Sequence, residues 1–198
     1  VVKVNNRREP DFIPTMSTDW WNYGGITRPV RLIELSPTYI QDYRFTYHEG
    51  GKIAVSVTVT GESPAKQKVN IALPKLGINK HLTTDASGKA SLTFKAKPEL
   101  WTPESPTLYS ASLTLGDQTL TDKIGFRTIE VDGDKMLLNG KPVFLRGIAI
   151  HEEKPFSDGR AWSEEEARVL LGWAKELGSN YVRFAHYPHN ENMLRVAD

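Results

Sequence analysis

Cysteine is absent from all 198 residues of the chain. That single absence removes disulfide frameworks, thiolate nucleophiles and cysteine-based zinc sites. It leaves the redox compartment open, because a cysteine-free chain folds in either. No run approaches the roughly 20 consecutive apolar residues that a membrane span needs, so no membrane partner is expected. Excess charge is lacking too: 25 Lys and Arg stand against 24 Asp and Glu, a net of +1, which argues against a dedicated nucleic-acid surface. The opening Val1-Val2-Lys3-Val4-Asn5 does not have the layout of a signal peptide, and localisation is not readable from the chain. Gly24-Gly25 is too short for a phosphate loop and no Gly-x-Ser-x-Gly occurs. No cofactor is implied. What is present, 39% hydrophobic and 25% charged residues, is the composition of a globular protein with a core. Five tryptophans fit either core packing or sugar stacking.

Three regions differ in pattern. Residues 1–36 are polar and broken by Pro10, Pro14 and Gly24-Gly25, with one alternation at Val30, Leu32 and Ile33 that would suit a closing strand. They read as the tail of a preceding domain. Residues 37–127 alternate with period two: Ile53, Val55, Val57 and Val59; then Val69, Ile71 and Leu73; then Leu92, Phe94 and Ala96; then Tyr109, Ala111, Leu113 and Leu115; and again from Leu120 to Phe126. Each run is a half-buried strand. With turns at Gly50-Gly51, Ser87-Gly88 and Gly116-Asp117, about seven short strands predict an immunoglobulin-like sandwich.

Residues 128–198 change again. Asn139-Gly140 between two apolar runs predicts a hairpin, since both central residues must take positive φ. Val143 to Ile150 reads as a strand apolar on both faces, as in a parallel sheet. A helix follows, with Ser163 as N-cap, Glu166 closing a capping box, Ala167, Leu170, Leu171, Ala174 and Leu177 at helical spacing, and Gly178 as the stop. Asn180 to Ala185 is the next strand. This is a right-handed βαβ unit, of the kind that opens a (β/α)8 barrel. Such a barrel needs ~250 residues and about 70 are present, so the chain reads as a piece of a larger protein. The predicted fold is mainly β: an immunoglobulin-like sandwich followed by the first βαβ portion of an incomplete barrel. Two lone parallel strands cannot bury both faces, which predicts self-association into a homo-oligomer, or fraying, in residues 143–198.

Three motifs in order resemble glycoside hydrolase family 2, the β-galactosidases, β-glucuronidases and β-mannosidases. The first is Asp19-Trp20-Trp21-Asn22-Tyr23-Gly24-Gly25-Ile26-Thr27-Arg28-Pro29-Val30, similar to the end of that family's N-terminal jelly-roll domain. The second is Leu100-Trp101-Thr102-Pro103-Glu104-Ser105-Pro106-Thr107-Leu108-Tyr109, similar to its sandwich signature. The third runs from Gly125-Phe126-Arg127 through Leu138 to Gly147, His151-Glu152, Asn180 to Arg183 and His186-Tyr187-Pro188, and resembles the first two strands of its catalytic barrel. The resemblance implies a retaining β-glycosidase acting on terminal β-linked sugars, β-galactosidase-like first and β-glucuronidase-like as the alternative. Its two catalytic glutamates, which the mechanism holds ~5–5.5 Å apart, are expected beyond Asp198. The chain alone is therefore expected to be inactive, with a carbohydrate as its ligand.

Barrels carry their sites at the C-terminal strand ends, where His151, Arg183 and His186 fall. On position alone, a buried hydrogen-bonded layer accounts for them better than a pocket does. The resemblance implies that the histidines line a sugar pocket and that Arg183 orients the nucleophilic carboxylate. The loop carrying Lys154, Asp158 and Arg160 is the candidate for substrate discrimination, Lys154 and Arg160 being hints of a uronate site. Glu152, Glu153, Glu164, Glu165, Glu166 and Glu191 are expected to serve solvation and helix N-termini. Trp20, Trp21 and Tyr23 fit sugar stacking or a packed domain junction equally. His186 and His189 have a spacing that suits a metal, but no third ligand is evident and no metal is expected. A non-catalytic carbohydrate-binding or interaction module is the reading from another class.

Overall fold

The computed structural model describes residues 1–198, which form two compact units: Ile33–Phe144, and Val1–Leu32 together with Leu145–Asp198.

The first unit begins with β1 (Thr38–His48), β2 (Lys52–Gly61), β3 (Lys68–Leu73), β4 (Ile78–Thr83), β5 (Lys89–Lys95), β6 (Tyr109–Leu115) and β7 (Gln118–Ile124). They build a three-stranded sheet, β1-β2-β5, and a four-stranded sheet, β4-β3-β6-β7, the two-sheet immunoglobulin-like arrangement that the alternation predicts. The predicted inner faces are the core: Ile53, Val55, Val57 and Val59 from β2 bury with Val69, Ile71 and Leu73 from β3 and Ala111 and Leu113 from β6. Gly88 shows why a turn residue cannot be exchanged. Its φ is +77°, and a Cβ there would stand 2.2 Å from the Val59 carbonyl oxygen, in backbone space that only glycine occupies without strain.

Three short strands, β8 (Ile129–Asp132), β9 (Lys135–Leu138) and β10 (Lys141–Pro142), complete this unit as a separate antiparallel sheet. Asn139 and Gly140 turn β9 into β10 with φ of 53° and 73°, as the hairpin signal requires. Asn139 does more than turn the chain. Its backbone N–H donates to the Thr128 carbonyl at 3.0 Å, its Oδ1 accepts from the Thr128 N–H and its Nδ2 donates to the Trp101 carbonyl, both at 3.0 Å. One side chain thereby ties the hairpin to the loop before β6.

In the second unit, residues 1–32 contain no helix or strand. The strand expected at Val30, Leu32 and Ile33 is not formed: all three are exposed and no neighbouring strand pairs with them. The regular elements are β11 (Gly147–Ile150), α1 (Glu164–Glu176), β12 (Tyr181–Phe184) and α2 (Glu191–Ala197). β11 and β12 pair in parallel, Gly147 opposite Tyr181 and Ile150 opposite Phe184. The capping box at Ser163 and Glu166 is formed, and Gly178 stops the helix at φ +77°. Ala167, Ala174, Ile150 and Met193 make a small core; Leu177, predicted on that face, is exposed.

The expected strand from Val143 to Ile150 is shorter than its apolar run. It starts at Gly147, because the Arg146 N–H is taken by the Asn180 side-chain oxygen at 2.8 Å, which ends the ladder there. Phe144, ahead of that point, is 78% exposed.

Candidate functional site

Beyond Ile150 and Phe184 the two parallel strands release His151 and the segment from Ala185 to Asn190, and the irregular segment 1–32 comes against them. Trp20 is the centre of the cluster. Its ring stacks on His151 at 6.1 Å between centroids and lies 5.9 Å from both His186 and Tyr187. Beside it, Asp19 Oδ2 is 3.2 Å from His186 Nε2 and 3.9 Å from His151 Nε2.

The hydrogen-bond partners of His186 fix which of its ring nitrogens carries the proton. Arg183 Nη2 lies 2.9 Å from His186 Nδ1. Guanidinium has donors only, so Nδ1 accepts and the neutral ring carries its proton on Nε2, facing Asp19. The Tyr187 hydroxyl accepts from the Glu152 N–H at 3.1 Å and lies 3.5 Å from His151 Nδ1, and His151 turns its Nε2 toward Asp19 at 3.9 Å. The result is one carboxylate acceptor flanked by two imidazole rings against an indole face. The carboxyl of Asp19 is held below the usual carboxylate range by its own backbone N–H and by the His186 hydrogen bond, so it stays an acceptor in mildly acidic solution.

Beneath this wall sits a buried carboxylate that the sequence reading assigned to solvation. Glu152 is 1% exposed. Its Oε2 accepts from Arg28 Nη2 at 2.9 Å and lies 3.9 Å from Arg160 Nη1; its Oε1 accepts from the backbone N–H and the side-chain amide of Asn190. A buried carboxylate needs such partners, and here they come from three separate stretches of chain. Tyr23 donates its hydroxyl to Glu153; burial, and then that hydrogen bond, push the phenol above its ordinary pKa.

The structure places His151, Arg183 and His186 beside one another and brings Trp20, expected to stack on a sugar or pack a junction, together with Asp19 and Tyr187, for which no role was expected. Asp19 was legible only as the acid that opens the Asp19-Trp20-Trp21 motif. Of the three aromatics there, Trp20 and Tyr23 converge, while Trp21 is 72% exposed. The candidate specificity loop divides. Arg160 lies over the Tyr187 ring at 4.2 Å and the Tyr23 ring at 5.5 Å, Lys154 pairs with Glu166 at 3.6 Å, and Asp158 is exposed. His189 is buried, its ring stacked on Tyr187 at 5.3 Å and its Nε2 hydrogen-bonded to the Ala185 carbonyl at 3.0 Å.

Ligand-capable atoms of Asp19, His151 and His186 lie within 4.8 Å of one another. His186 turns its N–H toward the carboxylate and a fixed guanidinium adjoins it, so the set suits a hydroxylated ligand better than a cation.

Two family models match. Residues 38–127 match "Glycosyl hydrolases family 2" and residues 129–198 match "Glycosyl hydrolases family 2, TIM barrel domain". Among similar proteins, a beta-galactosidase of Arthrobacter sp. (strain B7) is 29% identical over 100% of this chain, which spans 19% of that protein. The apo structure of Bacteroides uniformis beta-glucuronidase 3 superposes with a TM-score of 0.78 at 29% identity, over 98% of this chain and 26% of that one. A beta-galacturonidase from Eisenbergiella tayi bound to galacturonate gives a TM-score of 0.78 at 28% identity, over 96% of this chain and 36% of that one.

Proposed function

This chain belongs to glycosyl hydrolases family 2, and from that premise we propose that it is an internal segment of a retaining β-glycosidase acting on terminal β-linked sugars. The domain division is part of the same proposal: 1–36 as the end of a jelly-roll domain, 37–127 as the sandwich and 128–198 as the opening of the catalytic barrel. The observation that carries the reading is the wall of Asp19, His151 and His186 against Trp20. A sugar offers neighbouring hydroxyls on one edge and C–H bonds on its face. Asp19 accepts from one hydroxyl, His151 offers a hydroxyl its Nε2, which at 3.9 Å from Asp19 is outside hydrogen-bond reach of it, and Trp20 takes the apolar face, while the His186 N–H stays on Asp19 and orients it. Arg183 holds the tautomer of His186, and in the assembled site a guanidinium beside the sugar would also keep a catalytic carboxylate ionised.

Hydrolysis with retention needs two carboxyl groups about 5–5.5 Å apart. Within the wall only Asp19 is a carboxylate, and it is engaged with His186. The segment therefore binds and orients while catalysis falls to residues outside it. β-Galactosidases and β-glucuronidases both occur among the similar proteins, and the β-galactoside reading rests on the resemblance of the motifs. The test is the reading frame after Asp198: an Asn-Glu pair at one later strand end and a second Glu at another are expected. A frame that continues without such carboxylates would overturn the glycosidase and favour a binding module. The chain by itself should release no product from aryl β-glycosides.

A further inference from the structure

Residues 1–32 contain no helix or strand, so no ladder fixes where Asp19 and Trp20 stand; side-chain contacts with the strand ends do. The contact of Asp19 with His186 is weak in that role. Asp19 is 67% exposed and His186 36%, and ion pairs in water contribute little. Tyr23 adds a single hydroxyl contact to Glu153. Arg28 with Glu152 is of another kind, because the Glu152 side chain is 1% exposed and a buried carboxylate that loses its cation is left uncompensated. That one carboxylate reaches every stretch of chain that builds the wall. Its Oε2 accepts from Arg28, on the segment of Asp19 and Trp20, at 2.9 Å. Its Oε1 accepts from the backbone N–H and side-chain amide of Asn190, the N-cap of α2, on the stretch that carries His186 and Tyr187. The Glu152 backbone N–H donates to the Tyr187 hydroxyl at 3.1 Å, and His151 directly precedes it. Arg28 closes the ring by donating to the Pro188 carbonyl as well.

We propose that Glu152 is the positioning residue of the wall: it touches no ligand, and through Arg28 on one oxygen and Asn190 on the other it sets Asp19 and Trp20 against His151 and His186. The role requires a carboxylate rather than any buried polar group. Arg28 and both Asn190 groups are donors, so the hub must accept on both oxygens at once. A glutamine of the same shape would turn its own amide N–H toward one of them. The link to sugar binding rests on the reading above; the placement of Trp20 against the histidines does not.

The test compares Glu152→Gln, Arg28→Gln and the double variant with the unaltered chain by NMR. Two quantities are read from folded molecules: the ring-current shifts that Trp20 imposes on the ring protons of His151 and His186, and the affinity for methyl β-D-galactopyranoside. A residue that only adds stability moves neither while the fold persists. Each single variant should lose most of the ring-current shift and bind the galactoside about tenfold more weakly, as expected when the assembled wall is populated in roughly a tenth of the molecules. The double variant should lose no more than the singles, because both break one contact. Arg28→Lys, which keeps the cation, should recover part of both quantities. The Arg28 side chain is 43% exposed, so its variants decide the matter if Glu152→Gln does not fold. Ring shifts unchanged in Arg28→Gln, or losses that add in the double variant, overturn the proposal and leave Glu152 a residue of stability alone. Ring shifts lost while galactoside affinity is unaltered, or while the unaltered chain binds no galactoside, uphold the positioning of Trp20 and overturn the sugar wall.

Discussion

The two units are built on opposite principles. Ile33–Phe144 is held by two apolar faces, and nearly every residue that fills its core comes from a period-two run. The unit formed by Val1–Leu32 and Leu145–Asp198 has a small apolar core and is joined across its long sequence gap by polar contacts, Arg28 with Glu152, Tyr23 with Glu153 and Asp19 with His186. An apolar core tolerates repacking, because any side chain of similar volume serves. A buried polar junction tolerates little, because each partner left alone is an uncompensated charge or hydrogen-bonding group. The larger apolar core lies in the first unit and the proposed sugar wall in the second.

The sharpest way to break this contrast is Glu152→Ala. It strips the carboxylate from Arg28, Arg160 and Asn190 and should destabilise the second unit by about 3–5 kcal/mol. Amide exchange should rise in β11, β12 and α2 while β2, β3 and β6 stay protected. Equal loosening of both units would show that the junction is not local. Ile71→Ala is the converse change. It opens a cavity in the sandwich core and should cost about 2–4 kcal/mol, read as a shift of the denaturant midpoint for the β-unit probes alone.

Smaller effects sharpen the picture within the second unit. Ser163→Ala removes the acceptor of the Glu166 N–H and should cost about 1 kcal/mol, visible as fraying of the first turn of α1. The pH dependence of Asp19 is the finest test. Its carboxyl is depressed in the folded chain, so its contribution is present above the ordinary carboxylate range and is lost as pH falls through the lower folded value. In an NMR titration its midpoint should lie below 3.8, and His186→Ala should move it upward. A midpoint that does not respond to that substitution would separate Asp19 from the histidine.

What could be read from the sequence follows the same division. The sandwich was legible because burial on one face writes itself as alternation, and the Asn139-Gly140 turn and the Ser163–Glu166 cap because each is a local rule complete within four residues. β1 and β4 were harder to see. Both lie at sheet edges; β4 has only Leu82 fully buried among its six residues and carries no clean alternation, while β1 alternates only through the half-buried Tyr43, Phe45 and Tyr47, after a register shift between Ile40 and Asp42. The site was legible as strand ends, which placed His151, Arg183 and His186, but not as contacts. Nothing near Glu152 in the sequence marks it as buried, since its partner Arg28 is 124 residues away. Asp19 likewise meets His186 across 167 residues. Local periodicity holds no record of such pairings; they become visible only when the fold brings the segments together.

The most direct test of the sugar wall is an NMR titration of the chain with methyl β-D-galactopyranoside, following the ring protons of His151 and His186 and the indole of Trp20. The account predicts that all three shift together along one saturable isotherm, and that Asp19→Ala removes the response. No saturable change at these rings, or shifts confined to residues 33–144, would contradict it.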